Sequence, residues 1–295
     1  MTHKSGFVNI IGNPNVGKST IMNNFVGEKL SIITSKAQTT RHRIMGIVNG
    51  EDYQIVYSDT PGILKPSYKL QETMMKFVGS AFVDADLIIY VTDVVEQVGK
   101  NHEYIEKLKS TEVPVFLLIN KIDLSSQPAV EKLVENWKEM LPKATIYPVS
   151  ALTDFNLDVV KNAIIDALPE GPAYYPKDAM TDRSERFFVT EIIREKILLN
   201  YRQEIPYSVE VAVESFKEEE DIIKISSIIY VMRESQKGII IGNKGAALKK
   251  VGTEARKDIE AFFGKKVFLK MFVKVSKDWR DDERSLQRFG YNPAE

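Results

Sequence analysis

The octapeptide Gly12-Asn13-Pro14-Asn15-Val16-Gly17-Lys18-Ser19 has the spacing of a loop that holds a polyphosphate. Its glycines let consecutive backbone N–H groups curl around phosphate oxygens, and a helix beginning at its end would add a positive dipole. Lys18 would reach the β- and γ-phosphates and Ser19 would offer its hydroxyl to Mg2+, with Asn13, Asn15, Val16, Gly17 and Thr20 lining the same cradle. Further along stands Asn120-Lys121-Ile122-Asp123. A carboxylate at Asp123 can accept from both N1–H and the exocyclic amine of guanine, whereas the matching edge of adenine lacks that pair of donors. GTP and GDP are therefore expected, not ATP. Asn120 would bond the base edge or brace the phosphate loop, and the methylene stem of Lys121 would lie over the purine.

Three shorter segments complete the set. In Asp59-Thr60-Pro61-Gly62 the carboxylate can hold Mg2+ through water, and the Gly62 N–H can face the γ-phosphate. In Gln38-Thr39-Thr40-Arg41 a threonine hydroxyl would finish the metal shell, and spacing favours Thr40 over Thr39. Ser150-Ala151-Leu152 would supply the last base-contacting loop. The metal set is thus Ser19, Thr40 and Asp59, and the groups expected to matter for hydrolysis are Lys18, Thr40, Asp59 and Gly62. None is a general base, and phosphoryl transfer does not require one.

These residues need strands and helices to place them. Phe7 to Ile11, Tyr53 to Tyr57, Val113 to Ile119 and Thr145 to Val149 read as short buried strands, each ending at one of the motifs. Ligands bind at that end of strands in open α/β sheets. Thr20 to Val26 opens a helix, and Ser31 to Arg43 is a polar loop. Pro169 to Asp182 carries three prolines, a glycine and two tyrosines and reads as an interdomain linker. Beyond it, Glu185 to Tyr201 has helical spacing, Ser208 to Phe216 and Ile222 to Met232 read as strands joined by the acidic turn Lys217 to Asp221, Ala246 to Phe263 as a helix and Val267 to Val275 as a last strand. The domains expected are 1–170 for nucleotide, 171–184 as linker, 185–276 as a second domain and 277–295 as a tail. The fold class is α/β with a mostly parallel sheet, followed by α+β.

The five nucleotide segments resemble the translation-factor-related class of P-loop GTPases, and the order of elements after Ser184 resembles the KH fold of type II. In such a domain Gly242-Asn243-Lys244-Gly245 would let four nucleotides of a single strand pass close to the backbone. Gly238 and the apolar run Ile239 to Ile241 would line the groove, with Ile239 and Ile241 as base contacts, and Lys244 would meet a phosphate. Charge agrees, because Arg233 to Lys274 holds eleven Lys or Arg against four Asp or Glu in a chain of net charge −1. Taken together, the chain resembles the bacterial Era GTPase family over nearly its whole length. That resemblance implies a GTP-hydrolysing switch that binds the 3′ end of small-subunit ribosomal RNA and assists assembly of the small ribosomal subunit, as a monomer. In many GTPases a glutamine follows the Asp-x-x-Gly segment to orient water, but here the position is Ile63. Asn15 resembles the phosphate-loop asparagine that helps hold K+ in relatives lacking that glutamine.

Composition excludes other chemistries. The 295 residues contain no cysteine, so there are no disulfides, thiolate metal sites or lipid-bearing cysteines, and His3, His42 and His102 are scattered. No apolar run is long enough to span a membrane, and Met1 to Lys4 leads directly into the first strand, so a cytoplasmic protein is expected. Peripheral association with the inner face of the membrane is implied by the resemblance, with only the basic patch in support. A KH-like domain that binds another nucleic acid or a protein is the alternative reading. A tRNA wobble-base modification enzyme is disfavoured by the lack of cysteine and of a second catalytic cluster. A binding protein that never hydrolyses GTP is kept open only by Ile63.

Overall fold

The computed structural model describes residues 3–97 and 99–292. The chain divides into two compact units: Met1–Ser31, Thr40–Lys65 and Met74–Asp182 form the first, and Ile32–Thr39, Pro66–Thr73 and Arg183–Glu295 the second.

In the first unit the elements run β1 (Lys4–Gly12), α1 (Lys18–Val26), β2 (Ile44–Asn49), β3 (Tyr53–Asp59), α2 (Lys69–Ser80, its first turn in the second unit), β4 (Leu87–Asp93), α3 (His102–Ser110), β5 (Val115–Asn120), α4 (Gln127–Met140), β6 (Thr145–Pro148) and α5 (Leu157–Ala167). The six-stranded sheet has the order β2-β3-β1-β4-β5-β6, with only the β2–β3 pairing antiparallel. Every residue of β4 and β5 is buried, as for parallel strands covered on both faces. Ile105, Leu108, Trp137 and Leu141 of the α3 and α4 segments pack there against Ile11, Ile88, Tyr90 and Leu117. The carboxyl ends of β1, β3, β5 and β6 deliver the motif loops to one edge of the sheet.

The stretch expected to be a linker is largely a strap on this unit. Gly171 N donates to His3 O at 2.9 Å, the Gln54 side chain bonds Tyr174 N at 2.7 Å and Tyr175 O at 2.8 Å, and Ile47 N of β2 donates to Met180 O at 2.8 Å. β2 is the edge of the sheet, so its outer backbone groups need partners, and the proline-stiffened stretch supplies them.

The second unit contains α6 (Glu185–Asn200), the single turn α7 (Ile205–Ser208), β7 (Glu210–Glu218), β8 (Ile222–Val231), α8 (Glu234–Ile241), α9 (Ala246–Phe263), β9 (Lys266–Val275) and α10 (Glu283–Arg288). β7 and β8 are antiparallel, β8 and β9 parallel, and the α8–α9 pair makes the crossover that parallel pairing requires. The strand expected from Ser208 begins only at Glu210, because Pro206 starts the helical turn of α7. Apolar residues of α6, α8 and α9, among them Ile193, Ile197, Ile240, Val251 and Ile259, bury one sheet face.

Residues 32–39 and 66–73 belong to this unit for specific reasons. Arg194 of α6, ion-paired with Glu191, donates to Gln38 O at 3.4 Å and to Thr39 O, while the Lys36 ammonium donates to Leu198 O and Tyr201 O. Leu70 N donates to Arg280 O at 2.9 Å, and the Arg280 guanidinium lies 4.2 Å from the centre of the Tyr68 ring. Trp279 is fully buried, its indole N–H donating to Ser208 O at 3.1 Å, so the described part of the tail, residues 277–292, packs through it.

Candidate nucleotide site and nucleic-acid groove

The phosphate loop is wired to the loops around it. Asn120 Nδ2 donates to Val16 O at 2.8 Å, and its Oδ1 accepts from Ala151 N at 3.0 Å. These two bonds brace the phosphate loop against the loop after β6. Gly17 has φ +100°, and a Cβ there would stand 2.1 Å from Asn120 Nδ2, so only glycine fits. Lys121 Nζ donates to Asn15 O at 2.7 Å and pairs with Asp93 at 2.6 Å. Ser150 Oγ donates to Asp123 Oδ1 at 2.6 Å, which aims the carboxylate that would meet a guanine edge. Leu152 is 82% exposed and makes the outer lip of that loop. Thr20 is half-buried in the first turn of α1.

The phosphate and metal side is built from buried polar groups. Lys18 is buried and donates to Gly12 O at 3.1 Å and Asn13 O at 2.8 Å. Burial lowers its ammonium to about 8, against the attraction of Asp59 and Glu96. Burial likewise raises the Asp59 carboxyl, opposed by Lys18 and by the Ser19 hydroxyl. Ser19 Oγ donates to Asp59 Oδ2 at 2.6 Å, and Thr40 Oγ1 lies 3.0 Å from Ser19 Oγ and 3.3 Å from Asp59 Oδ2. Thr39 Oγ1 is instead engaged with Thr34 Oγ1 and Lys36 O, both at 2.6 Å. Asp59 Oδ1 is buried and accepts no hydrogen bond of ordinary geometry among the described residues. Hard oxygen donors with one carboxylate oxygen left over fit a hydrated Mg2+. Gly62 meets the loop closely, since a Cβ on it would stand 2.8 Å from Pro14 Cα. Ile63 is buried in the core beside Ile11 and Val78, so its side chain cannot reach a water.

Several participants escaped the motif reading. Asn13 is held by the side chains of Glu96 and Asn101, and burial raises the Glu96 carboxyl. Arg43 grips Asp84 with both terminal nitrogens, at 2.6 and 2.9 Å, and bonds Ser58 and Asn9, fixing the return of the 31–43 loop. Neither group carries a local signature, because the partners lie on other elements, 15 to 88 residues away. A cavity of about 460 Å3 between the phosphate loop and the loop after β4 is lined by Asn15, Val16, Asp93, Glu96 and Lys121.

In the second unit, Gly242 (φ +70°), Lys244 (φ +48°) and Gly245 (φ +81°) make a sharp turn between α8 and α9. A Cβ on Gly242 would stand 2.6 Å from Ala247 Cβ, so the turn could not close with another residue. Asn243 and Lys244 are exposed, and Gly238 faces open space. Ile239 is 50% exposed and Ile241 half-buried against the core. Ile240 corrects an expectation: it is fully buried among Ile229, Val251 and Ile259, because the helical step of about 100° turns it toward the sheet. Gly245 also borders a groove of about 350 Å3 whose other walls are Leu248, Lys249, Gly252, Thr253, Arg256, Leu269 and Met271. These residues of α9 and β9 were not singled out in advance. The β-strand alternation that points Leu269 and Met271 inward was the available signal.

Comparison with known proteins agrees with both halves. Residues 7–121 match the model of the 50S ribosome-binding GTPase family, and residues 204–280 match the KH domain. The chain is similar to the GTPase Era of Syntrophus aciditrophicus (strain SB), at 48% identity over 292 residues covering 98% of this chain and 95% of that one. It is similar to the GTPase Era of Clostridium kluyveri, at 47% identity over 290 residues covering 98% and 99%. Among solved structures, the crystal structure of Era in complex with MgGDPNP and nucleotides 1506–1542 of 16S ribosomal RNA superposes with a TM-score of 0.94 at 38% identity, covering 98% of this chain and 99% of that one. The architecture is thus a P-loop GTPase domain followed by a KH domain, and with relatives this similar along nearly the full length the chain belongs to the Era family of GTPases.

Proposed function

We propose that the chain is a GTP-hydrolysing switch that holds the 3′ end of small-subunit ribosomal RNA in its KH groove and assists assembly of the small ribosomal subunit. The observation that carries this reading is the full-length likeness to an Era that holds MgGDPNP and nucleotides 1506–1542 of 16S ribosomal RNA. Residues 1–170 supply the GTP site and 185–276 the RNA site, acting as a monomer in the cytoplasm. Among the described residues no helix is long and apolar enough to cross a membrane, and peripheral association would rest on the basic face alone.

Asp123 and Ser150 select guanine, Asn120 ties base recognition to the phosphate loop, and Lys18 neutralises the β- and γ-phosphates. Ser19 and Thr40 would hold Mg2+ directly and Asp59 through water. Mg2+ bound there supplies fixed positive charge beside the transferring phosphoryl group. Gly62 offers its N–H at the γ-phosphate. With Ile63 committed to the core, the position where many GTPases carry a water-orienting glutamine does not serve that role, so intrinsic turnover is slow and K+ beside Asn15 assists it. The switch works through neighbours in the chain: Thr40 faces the metal site, while the preceding Thr39 carbonyl is gripped by Arg194 of α6. Ordering Thr40 on GTP therefore pulls on the 32–39 segment held by α6, and GTP raises RNA affinity relative to GDP. Gly242 to Gly245 admit the RNA backbone, Lys244 meets a phosphate, and Ile239, Ile241 and the groove walls contact bases.

The test combines GTP turnover with titration of an oligonucleotide matching the 3′ end of small-subunit ribosomal RNA and a scrambled control. Selective binding that differs between GTP and GDP and raises turnover supports the proposal. Equal affinity for both oligonucleotides transfers the KH domain to another partner, and equal turnover in K+ and Na+ disposes of the cation.

A further inference from the structure

β9 is an edge strand of the three-stranded sheet, and its side chains alternate between the two faces. On the helix-covered face, Leu269 and Met271 line the groove beside Gly245. On the opposite face Lys266, Phe268, Lys270, Phe272 and Lys274 are all exposed, the two phenyl rings by 48% and 50%. The rings are four residues apart, about 13 Å along the strand. Lys270 makes no ion pair among the described residues, and its ammonium lies 5.5 Å from the centre of the Phe268 ring. The acidic groups nearby are engaged at the margins: Glu214 lies 3.9 Å from Lys274, and Glu219 lies 2.7 Å from Lys224. The patch is bounded at one end, where Arg288 and Phe289 cover Tyr230 with ring distances of 4.9 and 5.1 Å.

Aromatic rings interleaved with lysines on an open sheet face match one ligand chemistry well. Nucleotide bases stack on aromatic faces irrespective of sequence, while ammonium groups beside them neutralise the phosphates. A lipid surface would be met better by protruding apolar side chains on a loop or an amphipathic helix than by rings set within a strand. Continuity favours the same choice, because one strand both walls the KH groove and carries the platform.

We propose that the outer face of β9 is a second RNA-contact surface, on which nucleotides leaving the KH groove over the strand edge stack against Phe268 and Phe272 with their phosphates on Lys266 and Lys270. The inference rests on the RNA reading of the groove. Bound RNA then covers more nucleotides than the four that a Gly-x-x-Gly loop clamps, and the added affinity is tolerant of sequence.

The test uses the full chain, a short single-stranded RNA that only fills the groove and a longer one extended at both ends, with fluorescence anisotropy as the readout. The wild-type protein binds the longer RNA at least about tenfold more tightly. The Phe268→Ser/Phe272→Ser variant loses that advantage while its affinity for the short RNA is unchanged. Lys270→Gln, a milder surface change, makes the salt dependence on the long RNA shallower by about 0.7 in log–log slope and leaves the short RNA alone. An advantage for the longer RNA that survives the double serine variant overturns the proposal. So does a double variant that loses only its binding to phosphatidylglycerol vesicles, which would reassign the patch to membranes. If wild-type protein binds neither RNA and Lys244→Glu changes nothing, the groove reading falls as well, which separates the two failures.

Discussion

Two glycine-bearing loops each lead into a helix, one into α1 and the other into α9, and they are supported in opposite ways. The phosphate loop is held from outside: Asn120 and Lys121 bond its carbonyls, and Glu96 and Asn101 hold Asn13. The Gly242–Gly245 turn is held only from within, by Gly242 N on Gly238 O at 2.9 Å and Gly245 N on Gly242 O at 3.2 Å, with no distant side chain on its backbone among the described residues. A triphosphate and its metal have one geometry, so donors fixed in advance gain most from preorganisation. A nucleic-acid strand varies in base and pucker, so its loop has to be smooth and open more than rigid.

Substitutions can break or sharpen that contrast. The largest effect belongs to Lys18→Ala, which should lower single-turnover GTP hydrolysis by at least about 100-fold while leaving RNA affinity in the absence of nucleotide intact. Gly17→Ala comes next, since its Cβ would displace Asn120 from 2.1 Å; GDP affinity should fall by about tenfold or more and the melting temperature should drop with it. Gly242→Ala should weaken RNA binding by about tenfold through the clash with Ala247, with GTP turnover held within about twofold. The smallest effect is Gly245→Ala, where a Cβ meets nothing within 4 Å and only the left-handed backbone is strained, costing about 1 kcal/mol in denaturant melts. Should Gly245→Ala destabilise as much as Gly17→Ala, the two loops would be equally braced and the contrast would fail.

Motifs were legible where the chemistry is local. Lys18, Ser19, Asn120 and Asp123 are recognisable because one loop carries each function on adjacent residues, and the strands leading to them announce themselves as apolar runs. The supports were illegible because they are tertiary: Glu96, Asn101 and Arg43 act on partners far along the chain, and nothing in their neighbours marks them. Helical phase explains the case of Ile240, one residue of an apolar run that a linear reading assigns wholly to the groove. The allegiance of residues 32–39 to the second unit was likewise hidden, since it depends on Arg194 and on backbone carbonyls at the end of α6. Which of Thr39 and Thr40 turns its hydroxyl toward Ser19 is a matter of side-chain direction, which spacing could suggest but not supply.

The strap of residues 171–182 along β2 has a consequence for solubility. Unpaired edge strands template association with other chains, and here Met180 O and an antiparallel bridge between Gly46 and Thr181 occupy that edge. A GTPase fragment ending at residue 170 would bare the edge and is expected to self-associate in light scattering. One ending at residue 182 would keep its own cover and stay dispersed, so the strap serves the first unit as a built-in guard against aggregation.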